Sequence, residues 1–582
     1  MEPIVGIDLG TTNSEVAHVI DGSAQILKDN DDGIVPSCVA VDESGTVRVG
    51  TEARHQAAVA PDRTVLSVKR LMGSDERLRL GDDTYRPQEI SAFILKALRD
   101  RAEKVLGQPV GRAVITVPAY FTDAQRQATR EAGQIAGLEV VRIINEPTAA
   151  ALAYESSRSE TQRILVYDLG GGTFDVSIVK IEEGVVEVLS STGDNQLGGD
   201  DFDEKIVDRL LEHCRNELSL SLTRESDPVV LARLRRAAET AKMTLSHAPY
   251  AVIEEDHIGK RRFQDVHLSY ELSRLDFEAM IEDELARTME SVNVALKDAS
   301  LLPSAIDKII LVGGSTRIPR ISEMLEEKFS NLPHSEIDPD LCVALGAAIQ
   351  AGREMGLDSS SVLLDITPYT FGTSAVGELH GEPCMTVFVP LIRRNTKLPA
   401  ARTEAFYTMY DNQEEVEIKV YQGEKPDALD NILIGKYTFK LSRQPQGSII
   451  LLHYDLDING ILKIEAIEKA TGNKINAVIE NAFDAFTEAE MADSRKRIDQ
   501  VWGNRTGETP PDTIEVGGDS TIAQEMAAVI NRAEGLLNEV SDDDRDEIIN
   551  LVEDLRDAMA AKDADRAGKL REELEDILFY YE

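Results

Sequence analysis

The chain has 582 residues, too many for a single hydrophobic core, so we expect about two to four domains. Its formal charge of -42 argues against a nucleic-acid binder, which needs Lys and Arg to displace counterions, and against docking on an anionic membrane. Apolar residues make up 42% of the chain, which is ordinary for a soluble globular protein.

The four cysteines stand far apart in the sequence and include no Cys-x-x-Cys pair; they are Cys38, Cys214, Cys342 and Cys384. We interpret them as small core residues of a protein from a reducing compartment. The nine histidines show no spacing typical of metal ligands. No charged and apolar leader precedes the first strand, and no apolar run is long enough to span a bilayer. A cytoplasmic location is the expectation.

Residues 1–355 alternate short β runs with longer amphipathic helices, the pattern of an α/β domain. Residues 113–117 predict a strand. Thr122 and Gln125 then predict the capped start of a helix, because their spacing suits reciprocal hydrogen bonds at a helix N-terminus.

Two segments of this region share one pattern, residues 4–12 and residues 164–173. Each is an apolar strand that ends at an aspartate, Asp8 or Asp168, and continues into a turn of small residues. In each copy a second strand follows, at residues 15–20 and 174–181. The repetition predicts a duplicated fold with a site between its halves.

The small-residue turns are suited to hold phosphate groups. Glycine lets backbone N–H groups approach an oxyanion without a Cβ in the way, and nearby threonine hydroxyls can donate to its oxygens. A third glycine pair, Gly313 and Gly314, follows the apolar run 309–312. No Walker A sequence occurs, so a P-loop nucleotide hydrolase is not expected.

Asp8 and Asp168 lie at the strand ends beside these turns. A carboxylate next to a polyphosphate is repelled unless a cation lies between them. Mg2+ binds through one or two carboxylates and keeps several waters. The sequence therefore predicts Mg2+ with the nucleotide.

A polar stretch, residues 352–361, ends this region, and Val362, Leu363 and Leu364 then precede Asp365. Linkers between independent domains are normally solvated, so an apolar linker suggests docking. The alternative is that these three residues begin the next domain as an ordinary strand. The sequence leaves both interpretations open.

Alternating apolar and polar residues dominate from about 366 to 480 and predict a β domain, with strands at 416–421 and 462–466. Asn459 and Gly460 predict a type I′ hairpin turn. The chain is helical after Phe483, with a Gly/Pro-rich interruption at 503–520. Helices are expected at 521–538, 542–561 and 564–580. The predicted boundaries are 1–355 for the α/β domain, 356–365 for the linker, 366–482 for the β domain and 483–582 for the helical region.

Several motifs together resemble the DnaK-type family of 70 kDa heat-shock chaperones. In the first domain they are residues 6–14, 145–150, 168–176 and 313–319; in the β domain they are residues 394–399, 411–413, 421–424 and 455–462. The resemblance implies a two-lobed, actin-like ATPase domain, a β-sandwich peptide-binding domain and a short α-helical bundle. It implies ATP hydrolysis coupled to the binding of extended apolar segments of unfolded clients.

The resemblance also implies a role for each matched residue. The catalytic residues are Lys69, Glu146, Asp168 and Thr173, and the metal ligands are Asp8, Asp168 and Asp175. The nucleotide-binding residues are Gly10, Thr11, Thr12, Asn13, Gly170, Gly171, Gly172, Thr173, Glu239, Lys242, Ser246, Gly313, Gly314, Ser315, Arg317 and Asp340. The allosteric residues are Pro118, Arg126, Leu363, Leu364 and Asp365. The peptide-binding residues are Phe371, Thr373, Val376, Phe406, Met409 and Val416, for each of which a place in the sandwich core is an equally good interpretation.

ATP or ADP and Mg2+ are the implied cofactors, with K+ as a further candidate. The implied partners are unfolded clients and a J-domain co-chaperone, while the need for a nucleotide exchange factor stays open. A short segment before Glu89, Ser361 in the linker and a short helical region depart from long-chain members and resemble a short, HscC-like bacterial branch.

Two other classes of function were considered. One is a nucleotide-gated scaffold that binds one dedicated partner protein. The other is a small-molecule kinase of the same actin-like fold, which would need a substrate cleft and would leave the β domain unexplained.

Overall fold

The computed structural model describes residues 2–29, 32–154, 161–224, 226–334, 337–357, 362–478 and 486–503, together with Leu551. Residues Met1–Glu508 form one compact unit and Thr509–Glu582 a second. Apart from Leu551, which is helical, the helices predicted at 521–538, 542–561 and 564–580 lie outside the described residues. No helix among the described residues is long and apolar enough to cross a membrane.

The first lobe, residues 2–154, is built on a mixed sheet with strand order β11-β10-β1-β2-β3, and β4 pairs with β2. Helices α2 and α3 cover this sheet with apolar side chains such as Phe93 and Ile135. The strands are β1 Ile4–Leu9, β2 Asn13–Ile20, β3 Ser23–Ile26, β4 Ile34–Pro36, β5 Cys38–Val41, β6 Val47–Val49, β7 Thr64–Leu66, β8 Leu78–Leu80, β9 Asp83–Tyr85, β10 Arg112–Val117 and β11 Glu139–Asn145; the helices are α1 Thr51–Ala57, α2 Pro87–Leu106, α3 Asp123–Ile135 and α4 Glu146–Ala153.

The second lobe, residues 161–357, has a sheet of order β17-β12-β13-β14-β18 and a separate hairpin of β15 and β16. Its strands are β12 Gln162–Leu169, β13 Phe174–Glu182, β14 Val185–Asp194, β15 Tyr250–Arg261, β16 Gln264–Ser273, β17 Lys308–Val312 and, from the segment that follows the lobe, β18 Val362–Leu364. Its helices are α5 Gly199–Asn216, α6 Pro228–Leu245, α7 Arg274–Met280, α8 Glu282–Asp298, α9 Pro319–Phe329 and α10 Cys342–Glu354.

The predicted duplication is confirmed by the strand pairing. Strand β1 is antiparallel to β2 and parallel to β10, and β12 is antiparallel to β13 and parallel to β17. Helices α4 and α10 pack together, and a Cβ on Gly346 would come within 1.7 Å of the Ala149 carbonyl oxygen. One hydrophobic cluster joins both sheets and α10 through Ile4, Val166 and Ala347. The two lobes therefore share a core beneath the strand ends.

The predicted cap of α3 is confirmed, because Thr122 and Gln125 exchange both hydrogen bonds of a capping box. The cysteines are all unpaired. Cys38, Cys214 and Cys342 are buried as predicted, but Cys384 is half-buried, so its prediction as a core residue was wrong. It lies on a strand that is partly open to solvent.

Residues after 365 form a β-sandwich, as predicted. Its sheets have the orders β20-β19-β22-β23 and β21-β24-β25-β26 and enclose a core that includes Phe371, Val420 and Tyr454. The strands are β19 Phe371–Leu379, β20 Glu382–Ile392, β21 Ala400–Tyr407, β22 Glu415–Gln422, β23 Ile432–Lys440, β24 Ile449–Leu456, β25 Leu462–Glu468 and β26 Lys474–Val478.

The type I′ turn predicted at Asn459 and Gly460 was wrong. Type I′ needs positive φ at both central residues, and here only Gly460 has it, at 76°. The Asp457 carboxylate accepts hydrogen bonds from the N–H groups of Asn459 and Ile461, which holds a five-residue loop. The Asn459 side chain accepts from Ile143 N at 3.1 Å, so a contact with the first lobe selects the conformation.

Helix α11, Glu488–Gly503, packs on α2 and α3 of the first lobe. Trp502 stacks on Phe93 with ring centroids 6.1 Å apart, and its indole N–H donates to Asp100 at 2.9 Å. Buried Lys96 pairs with Asp499 at 2.5 Å. The helix that follows the sandwich is therefore held against the first lobe by apolar and charged contacts.

Candidate active site

A cavity of about 230 Å3 opens between the two lobes at the ends of β1 and β12. Nearly all residues predicted to bind nucleotide or catalyse line it. From the first lobe these are Asp8, Gly10, Thr11, Thr12, Asn13, Lys69 and Glu146; from the second they are Asp168, Gly170, Gly171, Thr173, Glu239, Lys242, Ser246, Gly313, Gly314, Ser315, Arg317 and Asp340. The residues predicted from the strand pattern and those implied by the resemblance thus lie together around one cavity.

The inner end of the cavity holds three carboxyl groups, those of Asp8, Glu146 and Asp168, around Lys69. The ammonium of Lys69 lies 2.5 Å from Glu146 Oε1, and both side chains are more than 90% buried. Lys69 lies on a short 3-10 turn, Val68–Leu71, and taken alone in the sequence would pass for a surface lysine. Its burial identifies it as part of the site.

Burial shifts the protonation of this cluster. Desolvation raises the pKa of Asp8, Glu146 and Asp168, and repulsion from neighbouring carboxylates adds to each shift, from Asp340 in the case of Asp8. Burial would lower the pKa of Lys69, but the neighbouring carboxylates outweigh it and raise that pKa. The site therefore holds more carboxyl groups than one ammonium can neutralise, and this favours their protonated forms.

This donor set suits a hydrated divalent cation. Asp168 Oδ2 is buried and has no hydrogen-bond partner in the part of the chain that the structure describes. Asp8 Oδ1 accepts from Thr116 at 2.7 Å, which fixes its orientation. Asp8 and Asp168 are the residues that would hold Mg2+, and its charge would offset their desolvation.

Asp175 differs from these two. It pairs with Asp168 in the strand register, as Glu15 pairs with Asp8, but Asp175 Oδ1 accepts from Tyr120 N at 2.9 Å and does not line the cavity. Its role as a metal ligand stays a prediction.

Gly172 likewise does not line the cavity, and it lies next to Thr11 and Arg70.

The glycine turns come close enough to cradle an anion. A Cβ on Gly171 would lie 1.8 Å from Thr12 Oγ1, so only glycine fits there. Gly313 has φ of 80°, a conformation that favours glycine. Ser315 Oγ donates to Gly170 O at 2.9 Å and ties the third turn to the second.

The outer end of the cavity lies between α6 and the segment 313–318. Lys242 is fixed by Asp203 at 2.8 Å, and Arg317 by Asp340 at 2.8 Å. Exposed Met243 also lines this end, as an apolar surface for a flat ring. The polar and apolar groups together suit a nucleoside.

Residues predicted to relay the nucleotide state form a buried hydrogen-bonded chain. Arg126 donates to Asn145 Oδ1 at 2.7 Å, and Asn145 Nδ2 donates to Asp365 Oδ2 at 3.0 Å. Thr148 also donates to Asp365, at 3.2 Å. Pro118 lies at the turn that leads to α3, where its carbonyl accepts from Phe121 N.

The segment 362–364 is a strand, but it belongs to the sheet of the second lobe. Val362, Leu363 and Leu364 pair in parallel with Val185, Val186 and Glu187 of β14. Leu363 packs against the core shared by the lobes. Of the two interpretations left open, docking of the linker fits, and the first strand of the sandwich does not.

The sandwich itself touches both lobes beyond this strand. Tyr369 Oη donates to Tyr120 O at 2.7 Å, and the two rings pack with centroids 4.3 Å apart. Arg394 pairs with Asp298 at 2.7 Å. A change in the angle between the lobes would therefore strain these contacts.

The predicted peptide-binding residues fall into two groups. Phe371 and Thr373 are buried in the sandwich, and the Thr373 hydroxyl donates to the Lys419 carbonyl, so both fit the alternative interpretation as core residues. Val376 and Met409 are about half exposed. The remaining two, Phe406 and Val416, are partly buried against the core.

Sequence reasoning missed several residues that line or adjoin the site, among them three polar ones. Glu15 and Asp200 line the cavity, and Asn145 connects Arg126 to Asp365. Glu15 could have been found from its place opposite Asp8 in a hairpin. Asn145 belonged to a motif but had no role assigned, because its two partners are distant in sequence.

Comparison with known proteins agrees with this architecture. A family model described as Hsp70 protein matches residues 4–79 and 75–580. The Chaperone protein DnaK of Thermosipho melanesiensis is 42% identical over 589 residues, which cover 99% of this chain and 95% of that relative. The Chaperone protein DnaK of Thermosipho africanus is 41% identical over the same shares.

The fold and the interlobe cavity thus define a two-lobed nucleotide-dependent ATPase joined to a β-sandwich. The chain belongs to the Hsp70 family and is an ATP-dependent chaperone for unfolded polypeptides.

Proposed function

We propose that ATP is hydrolysed at the inner end of the interlobe cavity, where Lys69 faces Asp8 and Asp168. The buried pair of Lys69 and Glu146 carries this proposal, because an ammonium buried in a cleft beside three carboxyl groups is typical of a functional site. The Lys69 ammonium would position the attacking water and stabilise the charge that develops on the γ-phosphate. Glu146 would orient the same water, and Thr173 would donate to a phosphate oxygen.

Mg2+ held by Asp8 and Asp168 would supply positive charge to the phosphate oxygens. The excess of buried carboxylates and the unpartnered Asp168 oxygen support this assignment. K+ remains a further candidate.

The outer end of the cavity would bind the nucleoside through Glu239, Lys242 and Ser246. Arg317 and Asp340 would close it from the opposite side. This end has the mixture of flat apolar surface and fixed polar groups that small-molecule sites use for orientation.

We propose that nucleotide state reaches the sandwich through Arg126, Asn145 and Asp365. The observed docking of Leu363 and Leu364 on β14 supports this route. Extended apolar client segments would contact Val376 and Met409, the two most exposed of the predicted peptide-binding residues.

A J-domain co-chaperone, a cytoplasmic location and the domain boundaries at residues 355, 365 and 482 are also proposed. They are supported by family membership and, for the boundaries, by the end of α10 at Glu354 and of β26 at Val478. A dedicated scaffold is not favoured, because the relatives named as chaperones match nearly the whole chain.

The catalytic part is tested by single-turnover ATP hydrolysis in Lys69→Ala, with Lys260→Ala, an exposed lysine outside the cavity, as the control. We expect hydrolysis to fall about a hundredfold or more, as when one charge-stabilising donor is removed, with ATP binding retained. Lys260→Ala should match the wild type. A Lys69→Ala rate within twofold of the wild type would contradict the assignment.

A further inference from the structure

A second cavity, of about 520 Å3, lies against the nucleotide cavity, and neither the catalytic nor the peptide-binding residues proposed above explain it. The two cavities share four lining residues, Thr11, Thr12, Asp200 and Glu239. The rest of the second cavity is lined by α1 and the segment 61–71 from the first lobe and by α5 and α6 from the second. It is therefore an interlobe space that meets the nucleotide site at the threonines.

The second cavity is rich in arginine. Three of its four arginines are engaged: Arg54 with Glu239, Arg70 with Asp201 and Arg235 with Glu204. The fourth, Arg236, is exposed and takes part in no ion pair with any described residue. A guanidinium presents a planar fork of donors that matches phosphate oxygens, so Arg236 has its anion-binding capacity free.

The passage between the two cavities, here called the neck, is lined by the four residues that they share. Ser67 Oγ donates to Asp200 Oδ2 at 2.6 Å and Arg54 pairs with Glu239 at 2.5 Å, and each contact joins one lobe to the other. Thr12 Oγ1 is buried there without a hydrogen-bond partner in the described chain. A small relative movement of the lobes would break both contacts and expose the threonine hydroxyl to an anion.

We propose that inorganic phosphate, once cleaved from ATP, leaves through this second cavity and is bound at its outer end by Arg236. The buried carboxyl groups of Asp8, Glu146 and Asp168 outnumber the one cation, Lys69, at the inner end, so this end offers the anion few donors, while the diphosphate product stays between the glycine turns. Hydroxyl groups of Thr12 and Ser67 offer donors at the neck, and Arg236 offers the next cation. This inference rests on the proposed position of the γ-phosphate.

The experiment compares two rates in one turnover of the full-length chain. Bond cleavage is followed by quenched flow, and the appearance of free phosphate by a fluorescent phosphate-binding reporter. Arg236→Glu places a negative charge on the route, and we expect it to slow release relative to cleavage by about threefold or more. It should also slow the entry of added radiolabelled inorganic phosphate into the ADP complex, because entry follows the same route.

Arg209→Glu is the matched control, since Arg209 is an exposed arginine of α5 that lines neither cavity. It should leave the ratio of the two rates and the rate of phosphate entry as in the wild type. If Arg236→Glu leaves both measurements unchanged, or slows cleavage and release equally, the route is wrong. A failure of the γ-phosphate assignment is recognised separately, by normal hydrolysis in Lys69→Ala.

Discussion

The side-chain amide of Asn145 donates to Asp365 across 3.0 Å, and this bond joins the first residue after the interdomain strand to the residue that precedes Glu146. Arg126 holds the other end of the same amide at 2.7 Å. Because Glu146 contacts Lys69, only two side chains and one peptide bond separate the linker from the proposed catalytic lysine. This arrangement gives the linker a direct means to sense the nucleotide cavity.

Replacement of Asp365 tests that connection. In Asp365→Ala the buried donors of Asn145 and Thr148 lose their acceptor. Each lost charge-assisted bond costs about 1.5–3 kcal/mol, so the loss of one alone disfavours the docked linker by roughly tenfold to a hundredfold. ATP should therefore lower peptide affinity less than in the wild type, as measured by fluorescence anisotropy of a labelled apolar peptide. Asp430→Ala, an exposed site in the sandwich, should respond normally; an equal loss there would contradict the specific role of Asp365.

Trp502 gives a direct signal for the position of α11, because it is the only tryptophan of the chain. Asp499→Ala leaves buried Lys96 without its partner. Since Asp499 is about half exposed, we expect a loss of only about 1 kcal/mol and a partial release of the helix. Trp502 emission should shift to longer wavelength as the indole leaves Phe93. The exposed Asp493→Ala on the same helix should show no shift, and a wild-type spectrum in Asp499→Ala would refute the role of the ion pair.

Docking of the sandwich should depend on pH through Asp123. Burial raises the pKa of Asp123 to about 7 from its ordinary value of 3.8, while its bond from Leu462 N and the charge of Arg126 oppose the shift. A raised pKa in the docked state means that docking takes up a proton. The stabilisation is complete below pH 3.8, decreases as pH rises and is lost above about pH 7.

The test is the pH dependence of the ATP-induced fall in peptide affinity between about pH 5.5 and 8 in the wild type and in Asp123→Asn. Docking in the wild type should weaken by up to about tenfold per pH unit over the part of this range below 7. The variant cannot ionise at this position, so the difference between the two profiles comes from Asp123. Glu131, whose pKa is also raised to about 7 by burial, is present in both proteins and contributes to both profiles. Identical profiles would show that Asp123 does not control docking.

The sequence predicted the elements whose signals are local. The duplicated strands ending at Asp8 and Asp168, the cap at Thr122 and the alternating strands of the sandwich all follow from short-range periodicity and turn chemistry. The glycine turns were also predicted, because a close backbone approach leaves a composition that can be recognised without coordinates.

What the sequence could not predict depends on contacts between distant segments. Asn459 adopts a different turn because its side chain meets Ile143, and the strand 362–364 pairs with β14 of the preceding lobe instead of opening the sandwich. Lys69 and Asn145 have no local feature that distinguishes them from ordinary polar residues. Their significance comes from burial beside distant partners: Glu146 lies 77 residues from Lys69, and Asp365 lies 220 residues from Asn145.

The central claim is that docking of the strand 362–364 couples peptide binding to ATP hydrolysis, and Leu363→Asp tests it most directly. Leu363 packs on the shared core and does not itself line the nucleotide cavity, so a charge there should undock the strand and leave basal single-turnover hydrolysis intact. We predict that a saturating apolar peptide accelerates hydrolysis in the wild type and has no effect on Leu363→Asp. Stimulation of this variant to the wild-type extent would contradict the account and reduce the segment to an ordinary strand.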